Sequence, residues 1–426
     1  MSSELIARLF LALALIVSLA FICTTIFRRL NQPVVIGEVL IGVLLGPTWM
    51  PELSHAIFPD EIQQYLTVIA SVGVALFMFM VGTEIDSRLL RGRGAQATTI
   101  AIGSIVLPFG LGTLLAIHLL TTYNPNNSTA FILFMGVAMS VTAFPVLARI
   151  ILDRKMGGTW IGNLALACAA VDDVLAWTLL AVVVSIAGGG TQWLTLLLLP
   201  YLAIMLLVAR PMLRLLLNRI RDEKEQRTYA LRIALAGILL SSAFTEWIGL
   251  HFIFGAFIFG LVMPRHSTVA MPLGITVDVT DRIDHLNRTL FLPAFFIVAG
   301  LKVDLSGLTS GDALDLLLIL GVAVGGKYSG AFLGAKLSRV PNKQASIIAI
   351  LLNTRGLTEM IVLGVGLELK VIDLKLYSLM VVMALVTTAM TGPAVQRLYT
   401  VPPAGRDQPT RAGADEDNLG GNTSTN

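Results

Sequence analysis

The chain has 426 residues, of which 55 % are hydrophobic and only 13 % are charged. Because soluble domains carry about 25 % charged residues, this composition excludes a soluble domain and predicts a polytopic membrane protein. The net charge of +3 does not indicate nucleic acid as a partner, since the basic residues lie between the apolar segments. Both cysteines, Cys23 and Cys168, fall within apolar segments, so neither a disulfide framework nor a thiolate metal site is expected.

Apolar segments of about 20 residues, long enough to cross a hydrocarbon core of about 30 Å, recur along nearly the whole chain. They predict an all-α polytopic fold with about 13 transmembrane helices. The first segment follows Glu4 and lacks a basic leading stretch, so we expect a true first span and not a cleaved signal. We expect residues 1–400 to form one transmembrane domain and the polar, Gly-rich residues 401–426 to be a disordered cytoplasmic tail. The predicted spans are 5–27, 33–49, 65–86, 97–120, 129–152, 160–187, 192–217, 229–247, 249–264, 286–303, 312–336, 345–368 and 375–398.

Basic residues alternate between the loops that these spans define. The odd-numbered loops carry clusters such as the three arginines between residues 88 and 93, whereas the even-numbered loops PELSHAIFPDEIQQ, TTYNPNNST and AGGGTQ have none. Lys302, Lys370 and Lys375 are the exceptions. Positive charge marks the cytoplasmic side, so the N-terminus is predicted outside and the C-terminus inside, as an odd number of spans requires.

Two segments half a chain apart share a pattern. Residues 79–86 read FMVGTEID and residues 297–304 read IVAGLKVD, each with a Gly followed by an Asp four residues later. About 55 residues after each Gly, polar residues interrupt an apolar span, SVTAFP at 140–145 and NTRGLTE at 353–359. The loop charges put the two segments on opposite sides, which favours an inverted-topology repeat over a chance likeness of two apolar helices.

Asp172 and Asp173 are adjacent, and they are the only charged residues between Ile161 and Ser185. A carboxylate at mid-bilayer costs about 2.5–3.5 kcal/mol on insertion scales, so each must face a water-filled cavity or a cation. Neighbouring side chains on a helix point about 100° apart, which predicts different partners for the two. Either both carboxylates bind protons or metal ions, or one forms a structural salt bridge and the other binds the ion. Both interpretations indicate ion transport.

Lys327 is a lone basic residue within another predicted span. It needs a counter-charge, for which an aspartate is the natural candidate. Gly330 and Gly334 belong to a small-xxx-small face that permits close approach of another helix. Residues 321–327 also match G-x-x-x-x-G-K, the first part of a phosphate-binding loop. We reject this match because Tyr328 replaces the required Ser or Thr and the segment is apolar.

The two interrupted spans offer further polar groups at membrane depth. Pro145 removes a backbone donor and frees carbonyl groups one turn earlier. Unwound backbone persists in a membrane only where it is buried in protein or lines a cavity, and half-helix ends hold cations on carbonyls and anions on amides. A local kink is the alternative for either interruption alone. The candidate residues are Ser140, Thr142, Asn353, Thr354, Arg355 and Glu359, with Glu84, near a span end, more typical of an interfacial charge.

Five segments together resemble the monovalent cation:proton antiporter superfamily. They are GVALFMFMVGTEID, MSVTAFPVLARI, AAVDDVLAW, FFIVAGLKVDL and LLNTRGLTEMIVLGVGLEL. The resemblance is to the second branch, with Kef-type transporters, plant cation/proton exchangers and bacterial sodium/proton antiporters, and it covers about residues 5–400. Any one segment alone is weakly specific, whereas the five in combination are highly specific.

The resemblance implies a sodium/proton antiporter-like fold of 13 helices in two parts. A dimerisation domain stays anchored, and a six-helix core, within roughly residues 65–187 and 286–398, carries the ion site across the membrane like an elevator. Two broken helices are expected to cross in the core beside the aspartates. A homodimer in the cell membrane, a bacterial inner or plasma membrane, is a further expectation.

The resemblance also implies roles for single residues. Asp173 corresponds to the acid that carries the cation and the protons, and Asp172 to the additional acid of electrogenic members. Lys327 corresponds to the lysine that pairs with that acid and releases a proton, which leads to exchange of two protons per cation. Thr142 is expected to complete the cation shell and Arg355 to balance charge. The expected partners are protons and Na⁺, or K⁺ or Li⁺, and no cofactor is expected.

The chain also departs from relatives in the branch. Kef-type channels usually have Gln where Asp172 stands and carry a cytosolic nucleotide-binding domain, so gating by glutathione or nucleotide is not expected here. Two alternatives stay open from the sequence. One is a Kef-like potassium efflux channel, and the other is a sodium-coupled symporter of an organic solute on a similar inverted-repeat fold.

Overall fold

Apolar segments of this length fold as helices in a bilayer because a helix satisfies its own backbone hydrogen bonds. The computed structural model describes residues 3–30, 32–84, 94–123, 125–154, 156, 159–187, 197–219, 223–249, 251–264, 275–307 and 309–399. Within these ranges all regular secondary structure is helical, which confirms the predicted all-α class.

The helices are numbered here in chain order. They are α1 Ser3–Arg29, α2 Val34–Leu45, α3 Pro51–Ile57, α4 Asp60–Glu84, α5 Gly94–Tyr123, α6 Ser128–Ser140, α7 Phe144–Asp153, α8 Trp160–Ala187, α9 Leu198–Ile204, α10 Arg210–Arg219, α11 Glu223–Trp247, α12 Phe252–Val262, α13 Ile275–Leu286, α14 Leu292–Leu301, α15 Ser310–Leu337, α16 Asn342–Leu352, α17 Leu357–Glu368 and α18 Leu374–Leu398. One π-helical segment, Met205–Ala209, joins α9 to α10, and another, Asn287–Phe291, joins α13 to α14.

Most of the described helices have the length and composition of membrane spans. Nine described stretches are long and apolar enough to cross a bilayer; seven are single helices and two are the joined stretches α6–α7 and α9–α10, and the bent pair α16–α17 makes a tenth. α2 and α12 are apolar but have only 12 and 11 residues. A polytopic helical membrane protein is thereby confirmed, while the number 13 and the N-outside orientation remain predictions.

Several helix starts differ from the predicted spans, and the starts of α4 and α13 are two examples. α4 begins at Asp60 and not at residue 65. The continuous helical stretch that ends at Leu301 begins at Ile275 and not at residue 286. Both extensions are polar, so the length of the apolar run did not reveal them. Asp60 and Glu61 lie in the first turn of α4, where acidic side chains favour a helix through its dipole.

The helices pack in two groups. The site bundle consists of α5 to α8 and α15 to α18, with α5 packed along α15 and against α6 and α8. The flanking bundle consists of α1, α2, α4 and α11 to α14, with α12 packed on α4 and α14 on α2. α4 and the helix ending in α14 lie in the flanking bundle although they fall within the residue ranges expected to contain the six-helix core. The site bundle itself contains six spans when α6–α7 and α16–α17 each count as one.

Two pairs of glycines lie where helices of the flanking bundle contact each other, and they have the same spacing in the two halves of the chain. A Cβ atom at Gly82 would lie 2.3 Å from the carbonyl oxygen of Phe257, on the helix that contains Gly260. A Cβ atom at Gly300 would lie 2.3 Å from the carbonyl oxygen of Val39, on the helix that contains Gly42. In each half, 40 residues separate the two glycines. The short helix α2 thus packs on α14, and the short helix α12 packs on α4. Each half of the chain contributes one short helix that packs on the other half, as an inverted repeat predicts.

Gly82→Ala and Gly300→Ala are each expected to destabilise the protein by about 1–3 kcal/mol, because the new methyl group meets backbone that cannot move aside. The matched control is Gly325→Ala in α15, where an added Cβ has no atom within 4 Å. Thermal unfolding of the purified variants in detergent measures the difference. Equal midpoints for the three variants would show that the glycine contacts do not carry the packing.

Candidate functional site

A fully buried ion pair lies at the centre of the site bundle. Asp172 on α8 and Lys327 on α15 have no solvent exposure, and the Lys327 Nζ lies 3.0 Å from Asp172 Oδ2. Desolvating two charges costs several kcal/mol per ion, so such a pair persists only where further hydrogen bonds satisfy it. The sequence pointed to an aspartate as the counter-charge of Lys327, and Asp172 is the one that the fold brings to it.

Hydrogen bonds from two other segments complete the surroundings of the pair. The hydroxyl of Ser104 on α5 lies 2.7 and 3.0 Å from the two carboxylate oxygens of Asp172. The hydroxyl of Thr142, between α6 and α7, lies 2.8 Å from Asp172 Oδ2. Lys327 donates to the carbonyl oxygen of Ser140 at the end of α6. The carboxylate is therefore held by a cation and two hydroxyls, all from other helices or their junctions.

The two broken helices meet at this pair. The amide of Ala143 donates to the carbonyl of Thr354 at 2.9 Å, and the Thr142 hydroxyl lies 3.0 Å from the carbonyl oxygen of Leu352. α16 and α17 are bent by 44° at their junction. Gly356 there has φ 147°, a conformation that L side chains rarely adopt. The predicted interruptions thus lie against each other, and each supplies hydrogen bonds that the other's unwound backbone lacks.

Arg355 binds the end of a half-helix and not the aspartates. It is fully buried, with Nη1 donating to the carbonyl of Ala138 at 2.7 Å and Nη2 to the carbonyl of Met139 at 2.6 Å. Nη1 also lies 2.8 Å from Glu359 Oε2. Carbonyl groups at a helix C-terminus carry partial negative charge, so the guanidinium stabilises the free end of α6. Glu359 balances the charge of Arg355 within the second break.

The remaining candidates lie around this centre, with one exception. Asp173 follows Asp172 on α8 and is 2 % exposed, so the second carboxylate is also buried in the site bundle. Asn353 and Thr354 are buried in the second break, and the Asn353 Oδ1 has no hydrogen bond within the described residues. The side chain of Glu84 lies outside the described part of the chain, so its predicted supporting role is not placed.

Ser104 is the site residue that the sequence did not reveal. A serine in an apolar helix usually bonds its own backbone, so a single hydroxyl is a weak signal. The structure brings it to Asp172 because α5 packs tightly on α15. A Cβ atom at Gly103 would lie 2.6 Å from the carbonyl oxygen of Gly330, one of the glycines in the predicted small-xxx-small face. That face was visible in the sequence, but the helix that packs on it was not.

The site offers oxygen ligands and protonatable groups. Its carboxylates, hydroxyls and freed carbonyls are the hard ligands that suit protons and hard cations. Within the described residues no group of three His, Cys, Asp or Glu side chains is placed to hold a metal ion. Buried charges beside two broken helices are characteristic of secondary transporters, whose ion sites lie where such helices meet. The fold and the site therefore define a helical secondary transporter.

Comparison with known proteins identifies the family. Residues 16–400 match the family described as Sodium/hydrogen exchanger, transmembrane, and the chain belongs to that family. The Na(+)/H(+) antiporter NhaS4 of Synechocystis sp. is 35 % identical over 400 residues, which cover 91 % of this chain and 96 % of that protein. K(+)/H(+) antiporter 1 of Saccharomyces cerevisiae is 35 % identical over 391 residues, covering 88 % of this chain but only 44 % of that protein.

A solved structure shows the same fold. The sodium proton antiporter MjNhaP1 from Methanocaldococcus jannaschii aligns with a TM-score of 0.60 at 17 % identity, over 91 % of this chain and 96 % of that chain. The expected superfamily is confirmed by the family match and by the two antiporters that are each 35 % identical to this chain. The protein is a multi-pass transporter of the cell membrane and not an enzyme.

Proposed function

We propose that this protein exchanges a monovalent cation for protons, with both competing for Asp173. The observation that carries the proposal is the fully buried Asp172–Lys327 pair beside a second buried carboxylate, where two broken helices meet. Asp172 is paired with Lys327, and the family resemblance gives Asp173 the role of binding the transported ion. Na⁺ is the first candidate, and K⁺ and Li⁺ are the others, since relatives are named both as Na⁺/H⁺ and as K⁺/H⁺ antiporters.

The ion pair supports a proposal about charge movement. When a cation binds beside Asp173, its positive charge acts on Asp172 and Lys327 through a medium of low dielectric constant. The cation displaces one proton from Asp173, and Lys327 then releases a second. Two protons therefore leave for each cation bound, and net charge crosses the membrane. Thr142 and the freed carbonyl groups near it contribute oxygen ligands to the cation. Arg355 and Glu359 keep the ends of the broken helices in place and do not exchange ions.

We propose that the site bundle moves against the flanking bundle. Within the described residues few side-chain bonds join the two. Gln32 donates to the carbonyl of Ala389 at 3.4 Å, and His251 Nε2 lies 3.5 Å from Glu368 Oε2. Tyr377 on α18 donates to the carbonyl of Ala299 at 2.9 Å, and the amide of Asp304, just after α14, donates to the Ser378 hydroxyl at 3.0 Å. Such contacts can break while each bundle stays intact. The moving core in this proposal excludes α4 and α14. Dimerisation through the flanking bundle and the absence of a cofactor are also part of the proposal, and the predicted tail, residues 401–426, lies outside the described residues.

The test is proton movement in proteoliposomes that hold an imposed proton gradient. Adding Na⁺, K⁺ or Li⁺, but not choline, is expected to collapse the gradient, and the active ion is the substrate. Flux down a potassium gradient without counter-movement of protons would indicate the channel. Sodium uptake that depends on an organic solute, again without proton movement, would indicate the symporter. Either result contradicts the proposal.

The bundle motion has its own test in an engineered disulfide. Asp304→Cys with Ser378→Cys joins the bundles at a point of direct contact, where the backbone amide of Asp304 lies 3.0 Å from the Ser378 hydroxyl, and thiol titration verifies that the disulfide has formed. Oxidation is expected to abolish exchange and reduction to restore it. The control pair, Thr48→Cys with Asp304→Cys, lies within the flanking bundle, where the Thr48 hydroxyl is 3.4 Å from Asp304 Oδ1. Undiminished exchange by the fully oxidised Asp304→Cys/Ser378→Cys protein would exclude a sliding core.

A further inference from the structure

An apolar groove of about 700 Å³ lies between α5 and α15 on the surface of the site bundle. The helices approach closely at Gly103 and Gly330, which have no side chains to fill the space between them. Larger residues on both sides form the walls, and Val106 and Leu333 are more than half exposed. None of the residues around the Asp172–Lys327 pair lines this groove. The groove is therefore a surface separate from the ion site.

The dimensions and lining of the groove fit a hydrocarbon chain. From Thr99 to Leu114 it follows 16 residues of α5, which span about 22 Å at a rise of about 1.5 Å per residue. That length exceeds one half of a hydrocarbon core of about 30 Å. Thr99 is the one polar residue in the lining, and its hydroxyl donates to the carbonyl of Ala95 within the same helix. The walls thus offer apolar contact and no polar partner to an occupant.

One end of the groove is basic. Lys336 immediately precedes Leu337, a groove residue at the end of α15, and Arg339 follows the helix; both side chains are exposed. No Asp or Glu occurs in the sequence between Asp315 and Glu359. The positive charge at this end of the groove therefore has no acidic neighbour along the chain to neutralise it.

Arg339 lies in a turn whose backbone conformation glycine adopts without strain. Arg339 has φ 59°, in the position after the helix cap that glycine usually takes. The turn is closed by the amide of Val340 donating to Ala335 and that of Arg339 donating to Lys336, each at 2.9 Å. Arginine is strained in this conformation where glycine is not. The turn therefore accommodates glycine, so an Arg339→Gly variant removes the exposed guanidinium at this end of α15 and keeps the turn.

We propose that this groove binds an acyl chain of an anionic phospholipid, with the phosphate group held by Lys336 and Arg339. The groove supplies apolar contact for the chain, and the guanidinium can pair with phosphate oxygens through two parallel hydrogen bonds. Basic residues near a membrane surface each strengthen the binding of anionic lipid. The site is independent of the exchange reaction, so it stands whether or not the proposed antiport is correct.

Two substitutions separate the chain site from the headgroup site. Gly110→Leu fills the groove, and an added Cβ at this position has no atom within 4 Å, so the helix packing is undisturbed. Gly321→Leu on α15 is the matched control, because its Cβ also meets open space but it does not line the groove. Arg339→Gly removes the charge and relieves the backbone, so a loss of binding cannot come from misfolding of that turn.

Native mass spectrometry of the detergent-purified protein, titrated with phosphatidylglycerol or phosphatidylcholine of identical chains, measures the bound lipid. The native protein and Gly321→Leu are expected to retain phosphatidylglycerol in preference to phosphatidylcholine. Gly110→Leu is expected to weaken retention of both lipids, and Arg339→Gly to weaken that of phosphatidylglycerol alone by about fivefold. Equal retention of the two lipids by the native protein, or full retention by Gly110→Leu, would overturn the proposal. A change in subunit number caused by Gly110→Leu, with lipid retention unaltered, would instead identify the groove as a contact between copies.

Discussion

Asp173→Asn is expected to reduce cation-dependent proton movement in the vesicle assay to the level of protein-free vesicles. The amide has nearly the shape of the carboxylate, but it carries no charge and cannot release a proton. Asp172 cannot substitute for it, because its carboxylate is occupied by Lys327 at 3.0 Å and by two hydroxyls. The amide also keeps the size of the carboxylate, so the variant is expected to fold.

The matched control for this variant is Asp284→Asn, which alters an aspartate paired with Arg288 on the protein surface. It is expected to exchange ions like the native protein, since exposed ion pairs contribute little. Thermal unfolding of both variants shows whether they are folded. A well-folded Asp173→Asn protein that still exchanges ions would remove Asp173 from the mechanism, and the cation would then have to bind elsewhere in the site bundle.

The helices around the site could be predicted where the sequence is apolar and uninterrupted. α8 has the predicted bounds, residues 160–187, because a long apolar run without glycine-rich or proline breaks has one stable form in a bilayer. The helix start at Ile275 was missed for the converse reason, since its first residues, ITVDVTDRIDHL, are polar. Hydropathy reports the part of a helix that meets lipid and not the part that extends beyond it.

The presence of a buried charge pair could be predicted from the cost of burial, whereas its members, Asp172 and Lys327, could be predicted only through the family resemblance. Two adjacent aspartates and one lysine in apolar spans require partners, and the costs of burial are enough to expect a pair. Which aspartate meets Lys327 depends on how α8 is rotated against α15, and rotation is set by packing of the whole bundle. The role of Ser104 depends on the same packing, because it contacts Asp172 only where the glycines of α5 and α15 allow close approach.

The function of Arg355 shows the same limit. As a charge beside the second interruption it was expected to balance the second crossover, without any indication of its partners; its guanidinium contacts the carbonyl groups of Ala138 and Met139 and the side chain of Glu359. Its positive charge stabilises the carbonyl end of α6, a half-helix that ends at Ser140, where the chain breaks. The sequence shows the break and the arginine separately, and only the crossing of the two broken helices joins them.

Lys327→Met is expected to lower stability by about 3–5 kcal/mol at a pH where Asp172 stays ionised, because it leaves a buried carboxylate without its cation. Lys343→Met is the control, since Lys343 is exposed at the start of α16. The double variant Asp172→Asn with Lys327→Met is expected to recover most of the loss. Its amide oxygen can still accept hydrogen bonds from Ser104 and Thr142, and no unpaired charge remains. Thermal unfolding of the native protein and of the three variants measures the loss of stability and its recovery.

The same double variant tests the charge movement. With Asp173 intact it retains one carboxylate that alternates between a cation and a proton, so exchange is expected to continue one for one. An imposed membrane potential then has no net charge to act on, whereas it is expected to change the rate of the native protein. Potential-dependent exchange that persists without Lys327 and Asp172 would show that the pair is structural and that another group carries the second proton. A rate that no longer responds to the potential, in a protein of recovered stability, would assign the electrogenic step to the buried pair itself.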